Sequence, residues 1–335
     1  MMLNHLVKGM NEVGAKIEMV NLCETNIKDC IGCFTCWTKT PGTCIHKDDM
    51  TVDLFPKWLA SDIVIYATPL YNFFMAGTLK KFIERTLPSF LPYFKVYKDR
   101  MYHPLRQKIP AIVMLSVASM PDKSQFDALS TYIRLYCDAP GGKLLAEIYR
   151  SASEVMMMPF MQEKVKDIIA ATRRAGQELV QSMQISNNTL EKITQTIIDD
   201  HSFIEIAKIL WNTCIGESIT LREFTQKKMA PKSVSLEEFL LTLPMSINIK
   251  AVHDRKVILQ FKFRGDVKEH CYFTIEEGHI TAKKGTCENS DVTIETLFNV
   301  WMDIMTGKAD GQQLFMERKL SISGDLSLIM QLFSF

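Results

Sequence analysis

Five of the chain's nine cysteines crowd into one short stretch: Cys23, Cys30, Cys33, Cys36 and Cys44. Two consecutive C-x2-C steps bring the thiols of Cys30, Cys33 and Cys36 to one place, and the Pro41-Gly42 turn brings Cys44 back to them. Four thiolates so spaced can hold a [4Fe–4S] cluster or zinc, or can serve as redox thiols. A cysteine-rich loop without metal is the fourth option that the residues leave open. Cys137, Cys214, Cys271 and Cys287 are scattered and read as packing residues.

A second candidate follows the apolar run Ile63-Val64-Ile65-Tyr66-Ala67. It reads Thr68-Pro69-Leu70-Tyr71-Asn72-Phe73-Phe74-Met75-Ala76-Gly77. In open parallel sheets, ligands bind beyond the carboxyl ends of the strands. Pro69 stiffens the turn, and Tyr71, Phe73 and Phe74 offer flat apolar surface. Backbone amides from Asn72 onward can bond the carbonyls and nitrogens of a planar heterocycle. A strand-to-helix turn with aromatics in the core would use the same residues. His46 and His103 have no partner the sequence can name, so no catalytic acid or base is assigned.

These segments need a scaffold, and the periodicity supplies one. Leu3, Leu6, Val7 and Met10 fall at helical spacing, and Gly14 closes that helix. Lys16–Leu22 alternates and predicts a strand. Asp49–Ala60 predicts a helix capped by Asp48 or Asp49. Asp62–Ala67 predicts a strand covered on both faces. Helices at Gly77–Thr86, Asp122–Cys137 and Glu163–Gln184 then alternate with strands at Ile109–Ser116 and Lys143–Tyr149. Such alternation means an α/β fold, a parallel sheet with helices on both sides.

The polar run Ile185–Asn188 opens a helical linker region. After Ser235 the texture changes. Leu236–Leu243 predicts a helix. Val257–Arg264, Cys271–Glu276 and Ile280–Lys283 alternate as antiparallel strands with one wet face. Ile294–Met305 predicts a helix with Leu297, Val300, Trp301 and Ile304 as its stripe. The expected domains are residues 1–184, a linker 185–234, and an α+β domain 235–335.

Bulk properties bound the function. The 335 residues carry a net charge of +1, with 47% apolar and 23% charged residues, which is globular composition. That balance gives no electrostatic reason to expect nucleic acid as a partner. The longest apolar run, Ile109–Met120, is too short to span a bilayer. The N-terminus has no basic head with an apolar stretch behind it, so a cytoplasmic location is the default expectation.

The stretch T-P-L-Y-N-F-F-M-A-G-T-L-K-K-F-I-E-R-T resembles the flavin-ring loop and following helix of the NADPH-dependent FMN reductase and iron–sulfur flavoprotein families. The cysteine loop with its trailing Lys47-Asp48-Asp49-Met50 resembles the same families, and the likeness covers about residues 3 to 180. It implies a flavodoxin-like doubly wound sheet. It also implies an FMN ring lined by Thr68, Pro69, Leu70, Tyr71, Asn72 and Phe73. The loop carrying Ser116 and Ser119 would stand at the ring's other edge. Cys30, Cys33, Cys36 and Cys44 are the implied metal ligands.

One departure is large. These families open with a strand and a phosphate-binding loop, whereas this chain begins inside the helix that follows them. Either the sequence is a fragment or starts late, or the sheet closes in another way and flavin binding is weakened or lost. Residues 235–335 resemble the sterol carrier protein type 2 family through T-G-K-A-D-G-Q-Q-L-F and the later S-G-D-L. That likeness implies an apolar tunnel, with Trp301, Met305, Leu314, Phe315, Ile329 and Leu332 as candidate walls.

The expected function is FMN-dependent NAD(P)H oxidoreduction, with electrons passed to a small or apolar acceptor held near the C-terminal domain. An iron–sulfur flavoprotein electron carrier is one alternative. A flavin-free lipid-binding protein on a degenerate scaffold is the other. A homo-oligomer is expected.

Overall fold

The computed structural model describes residues 1–157, 161–227, 229–252, 255–265 and 267–333. The chain divides into two compact units, Met1–Met156 with Glu163–Ile197, and Met157–Gln162 with Ile198–Phe335.

The first unit runs α1 (Met2–Glu12), α2 (Phe55–Ala60), β1 (Ile63–Tyr71), β2 (Phe74–Met75), α3 (Gly77–Glu84), β3 (Lys95–Tyr97), β4 (Arg100–Tyr102), β5 (Ala111–Val117), α4 (Asp127–Cys137), β6 (Leu144–Arg150), α5 (Gln162–Ser182) and α6 (Asn187–Ile193). Its main sheet has the order β2-β1-β5-β6. β1, β5 and β6 are parallel, and Ile63 to Pro69 pair in register with Ala111 to Val117. β5 reads Ala-Ile-Val-Met-Leu-Ser and is buried over all six residues, as a central strand under two helical layers must be.

α1 and α5 meet at glycines. A Cβ on Gly9 would overlap the Arg173 carbonyl, and one on Gly176 would overlap the Leu6 carbonyl. The two backbones can therefore approach only because both side chains are absent. Glu12, ion-paired with Arg173 at 2.5 Å, ties the far end.

Two strand expectations are corrected here. Residues 15–21 carry no ladder bonds and lead into a tight turn at Leu22–Glu24. In flavodoxin order, Lys16–Leu22 would pair only with a strand ahead of α1. Among the described residues there is none, so the alternating pattern has no partner to bond. For the same reason β1 bonds β5 along one side, and its other side over Ile63–Pro69 has no strand. Tyr66 and Thr68 are buried while Ala67 and Pro69 are exposed, so β1 is not covered on both faces.

The second unit contains α7 (Asp200–Gly216), α8 (Leu221–Gln226), α9 (Leu236–Thr242), β7 (Val257–Arg264), β8 (His270–Glu276), β9 (His279–Lys284), β10 (Val292–Leu297), α10 (Phe298–Met305), α11 (Gly311–Met316), β11 (Leu320–Gly324) and α12 (Leu326–Leu332). Its sheet has the order β11-β10-β7-β8-β9, with only β7 and β10 parallel. The three expected antiparallel strands are present. Residues 294–297, expected as helix, belong to β10 instead. The β-branched run Val292-Thr293-Ile294 is buried and pairs with Leu259, Gln260 and Phe261, so the sheet outcompetes helical propensity there.

Phe239 of α9 meets Phe261, Phe263, Phe273 and Phe298 at ring separations of 5.1 to 5.8 Å. Trp301 lies 5.0 Å from Phe261. Of the six expected tunnel walls, Trp301, Ile329 and Leu332 are buried in this packed core, Met305 and Leu314 pack against it partly buried, and Phe315 is exposed. No helix among the described residues is long and apolar enough to cross a membrane.

Candidate functional site

The loop after β1 is a two-residue hairpin, a feature the sequence reading missed. Leu70 pairs with Met75 and Tyr71 with Phe74, and both residues between them have positive φ, Asn72 at 49° and Phe73 at 66°. Turns of this primed kind match the right-handed twist of the strands they join. Asn accepts the left-handed region readily, whereas Phe pays for its Cβ in strain. The turn throws Tyr71 and Phe73 outward, 65% and 54% exposed, at the carboxyl end of the sheet.

Thr68 fixes the turn's exit. Its hydroxyl accepts from the Ala76 amide (3.0 Å) and donates to the Pro69 carbonyl (2.9 Å). Ser116 stands in register with Thr68 on the next strand. It is buried, and its Oγ has no hydrogen-bond partner. Ser119, two residues past β5, donates to Glu154 at 3.0 Å. Thr68, Pro69 and Ser116 thus share one level of the sheet edge, with Tyr71, Asn72 and Phe73 on the turn beyond it and Leu70 half-buried beneath. Two exposed aromatic side chains on a tight turn at the carboxyl edge of the sheet offer apolar surface to a planar heteroaromatic ring, while Ser116 is fully buried below them.

The cysteine loop forms a small pocket, partly open to solvent. Cys30, Cys33, Cys36 and Cys44 all line it, together with Ile31, Phe34, Ile45, His46, Arg85 and Pro88. Cys23 is exposed and is not among its lining residues. As placed, no three His, Cys, Asp or Glu groups among the described residues close on a single metal position. The sulfurs nonetheless sense one another. Burial pushes the Cys36 thiol up, and the neighbouring Cys44, Cys30 and Cys33 add to the shift. Cys33 is pulled down by the Thr35 hydroxyl and amide. Gly32 and Phe34, both at positive φ, turn the chain between these thiols.

A buried ion pair anchors the loop. Arg85, just past α3, donates from Nη1 to Asp48 (2.7 Å) and from Nη2 to the other Asp48 oxygen (3.0 Å). It also donates to the Lys28 carbonyl (2.7 Å) and the Thr51 hydroxyl (2.9 Å). Asp48 in turn accepts from the amides of Lys28 (2.9 Å) and Thr51 (3.2 Å). Asp48 is therefore the residue that caps the turn into α2, while Asp49 accepts from Asn26. Burial alone would raise the Asp48 carboxyl, but the guanidinium and the two amides outweigh it and hold it far below the usual range.

Both residues were quoted in the family likeness, but the pairing across 37 positions is written nowhere in the sequence. The histidines have found partners. His46 Nε2 lies 3.1 Å from the Asp29 carbonyl, and His103 lies between Trp37 (4.8 Å) and Phe94 (4.5 Å).

With this geometry in view, comparisons with known proteins are informative. Residues 1–136 match the NADPH-dependent FMN reductase family, and residues 248–335 match the SCP-2 sterol transfer family. An iron-sulfur flavoprotein of Archaeoglobus fulgidus is 37% identical over 87 residues, 26% of this chain and 38% of the relative. An iron-sulfur flavoprotein of Clostridioides difficile is 32% identical over 85 residues, 25% of this chain and 37% of the relative. The chain spans between 37% and 49% of the length of the curated relatives it matches. Among solved structures, an FMN-dependent NADH-azoreductase from Bacillus anthracis in complex with FMN is similar at 13% identity and a TM-score of 0.39, over 53% of this chain and 89% of that one. The chain thus joins a flavodoxin-like segment that matches the FMN reductase family to a segment that matches the SCP-2 family.

Proposed function

We propose that the chain is an FMN-dependent NAD(P)H oxidoreductase whose flavin ring lies at the β1–β2 turn. The observation that carries this reading is the strained Asn72-Phe73 turn that exposes Tyr71 and Phe73 at the carboxyl edge of the sheet, within a segment that matches FMN reductases. The chemistry FMN supplies when bound is acceptance of hydride from NAD(P)H and onward delivery of electrons. The protein's part is to bind and orient. Tyr71 and Phe73 give the ring apolar faces, the Asn72 and Phe73 amides offer hydrogen bonds, and Thr68 holds the turn. The electron acceptor is a small or apolar molecule, and the SCP-2 segment of the second unit takes a lipid-like ligand.

The test is anaerobic mixing of the FMN-loaded full chain with NADPH and with NADH. Bleaching of the flavin band within seconds is expected with at least one of them. A band that persists with both refutes the assignment.

A specific observation favours an added electron-carrying role. Cys30, Cys33, Cys36 and Cys44 line a single cavity, a donor set that fits a [4Fe–4S] cluster once the loop contracts around it. Iron and sulfide near four per chain after anaerobic reconstitution, as a four-iron cluster requires, would support this role. Their absence would leave FMN alone. The hairpin β3–β4 exposes Phe94, Val96 and Met101, a surface a second copy of the chain would cover.

A further inference from the structure

Arg85 satisfies Asp48, Lys28 and Thr51 through Nη1 and Nη2, and its side chain is only 1% exposed. Its remaining donor, Nε, is buried and makes no hydrogen bond. The same side chain lines the cysteine cavity, and Cys44 is among the groups that interact with its guanidinium. A buried N–H without an acceptor is costly to the fold. Two of the three nitrogens are spent on holding the loop, and the third is left without an acceptor in a side chain that lines the same pocket as Cys44.

We propose that Arg85 is a positioning and tuning residue of the cysteine pocket, whose Nε–H is reserved for the Cys44 sulfur when that sulfur is a metal-bound thiolate. The inference rests on the reading that Cys30, Cys33, Cys36 and Cys44 hold a metal–sulfur group. A thiolate is a better acceptor than a thiol, and since Asp48 already balances the guanidinium charge, what Arg85 adds at the pocket is a directed N–H. An N–H donated to a ligand sulfur favours the state with more electron density on that sulfur, so it raises the reduction potential of an iron–sulfur group. The Asp48 pair gives the fork its fixed aim: with both Nη groups clamped, the guanidinium plane cannot turn away. Lysine keeps the charge but cannot clamp Asp48 and offer an N–H to the sulfur in one plane.

The experiment is anaerobic reconstitution of the full chain with iron and sulfide, followed by a redox titration read by absorption and electron paramagnetic resonance. Arg85→Lys is expected to keep its iron content and to show a reduced fraction about tenfold smaller at a fixed potential, a shift of about 59 mV for one electron. Full iron content with an unchanged potential and spectrum overturns the proposal. If Arg85→Lys has no cooperative thermal transition, the double variant Asp48→Asn/Arg85→Gln replaces the buried ion pair with neutral amides and is held to the same result. If the wild type takes up no iron and sulfide, the cluster reading fails by itself. Cadmium, followed by thiolate charge-transfer absorption, then decides the role of Arg85. Binding about tenfold weaker in the double variant supports it. Equal binding, or no binding by the wild type, overturns it.

Discussion

At Phe73 a bulky side chain occupies a conformation that crowds its Cβ against backbone. Such strain is held by the surrounding fold and concentrates where a site needs it. Phe73→Gly is therefore expected to stabilise the first unit by about 1 kcal/mol while weakening FMN binding several-fold. Urea midpoints and flavin fluorescence titrations read the two effects, and a variant with lower stability and unchanged affinity would contradict the account. Asp48 carries the opposite expectation. Asp48→Asn leaves Arg85 buried without its counter-charge, a loss of about 3–5 kcal/mol. Since the folded carboxyl lies below its ordinary 3.8, the pair's contribution is complete above that pH and drains away as pH falls below it. Acid titration of wild-type stability should show this decline, and Asp48→Asn should lack it. At this scale the candidate residues were legible in the sequence, since aromatics, cysteines and Asn72 announce themselves by type. It could not mark Arg85–Asp48, because an ion pair spanning two loops has no local pattern.

Among the elements, β5 was legible because a buried central strand reads as an unbroken apolar run, and β1 and β6 kept enough apolar residues to be read although each is only partly buried. The failures share a cause. Lys16–Leu22 has a strand's alternation but no neighbour, and alternation makes no ladder by itself. Residues 294–297 have a helical stripe behind them, yet β7 offers paired backbone and an apolar face, and tertiary pairing wins. The Asn72-Phe73 hairpin was hidden because Asn-Phe is not a usual primed-turn pair. The α1–α5 contact yields a sharp expectation. Gly176→Ala gains about 1 kcal/mol of helix propensity, but its methyl group meets the Leu6 carbonyl and forces two helices apart. A net loss of about 1–3 kcal/mol is expected for such overpacking. An unchanged or higher urea midpoint would show that α1 does not pack on α5 in this way.

For the molecule as a whole, two compact units matching two families argue for two ligand events on one chain. Calorimetry of the full chain should resolve two transitions, with FMN raising only that of the unit carrying β1 and β5. At a hundredfold excess over the dissociation constant the stabilisation is about 2.7 kcal/mol. One transition that FMN shifts in its entirety would contradict separate units.

The central claim is that this chain, as it stands, holds FMN at the β1–β2 turn. Titrating FMN into the full chain under anaerobic conditions, with flavin fluorescence as the signal, tests it most directly. Saturable quenching at one flavin per chain, weakened in Phe73→Gly, is the predicted result. Fluorescence equal to that of free FMN throughout would contradict it.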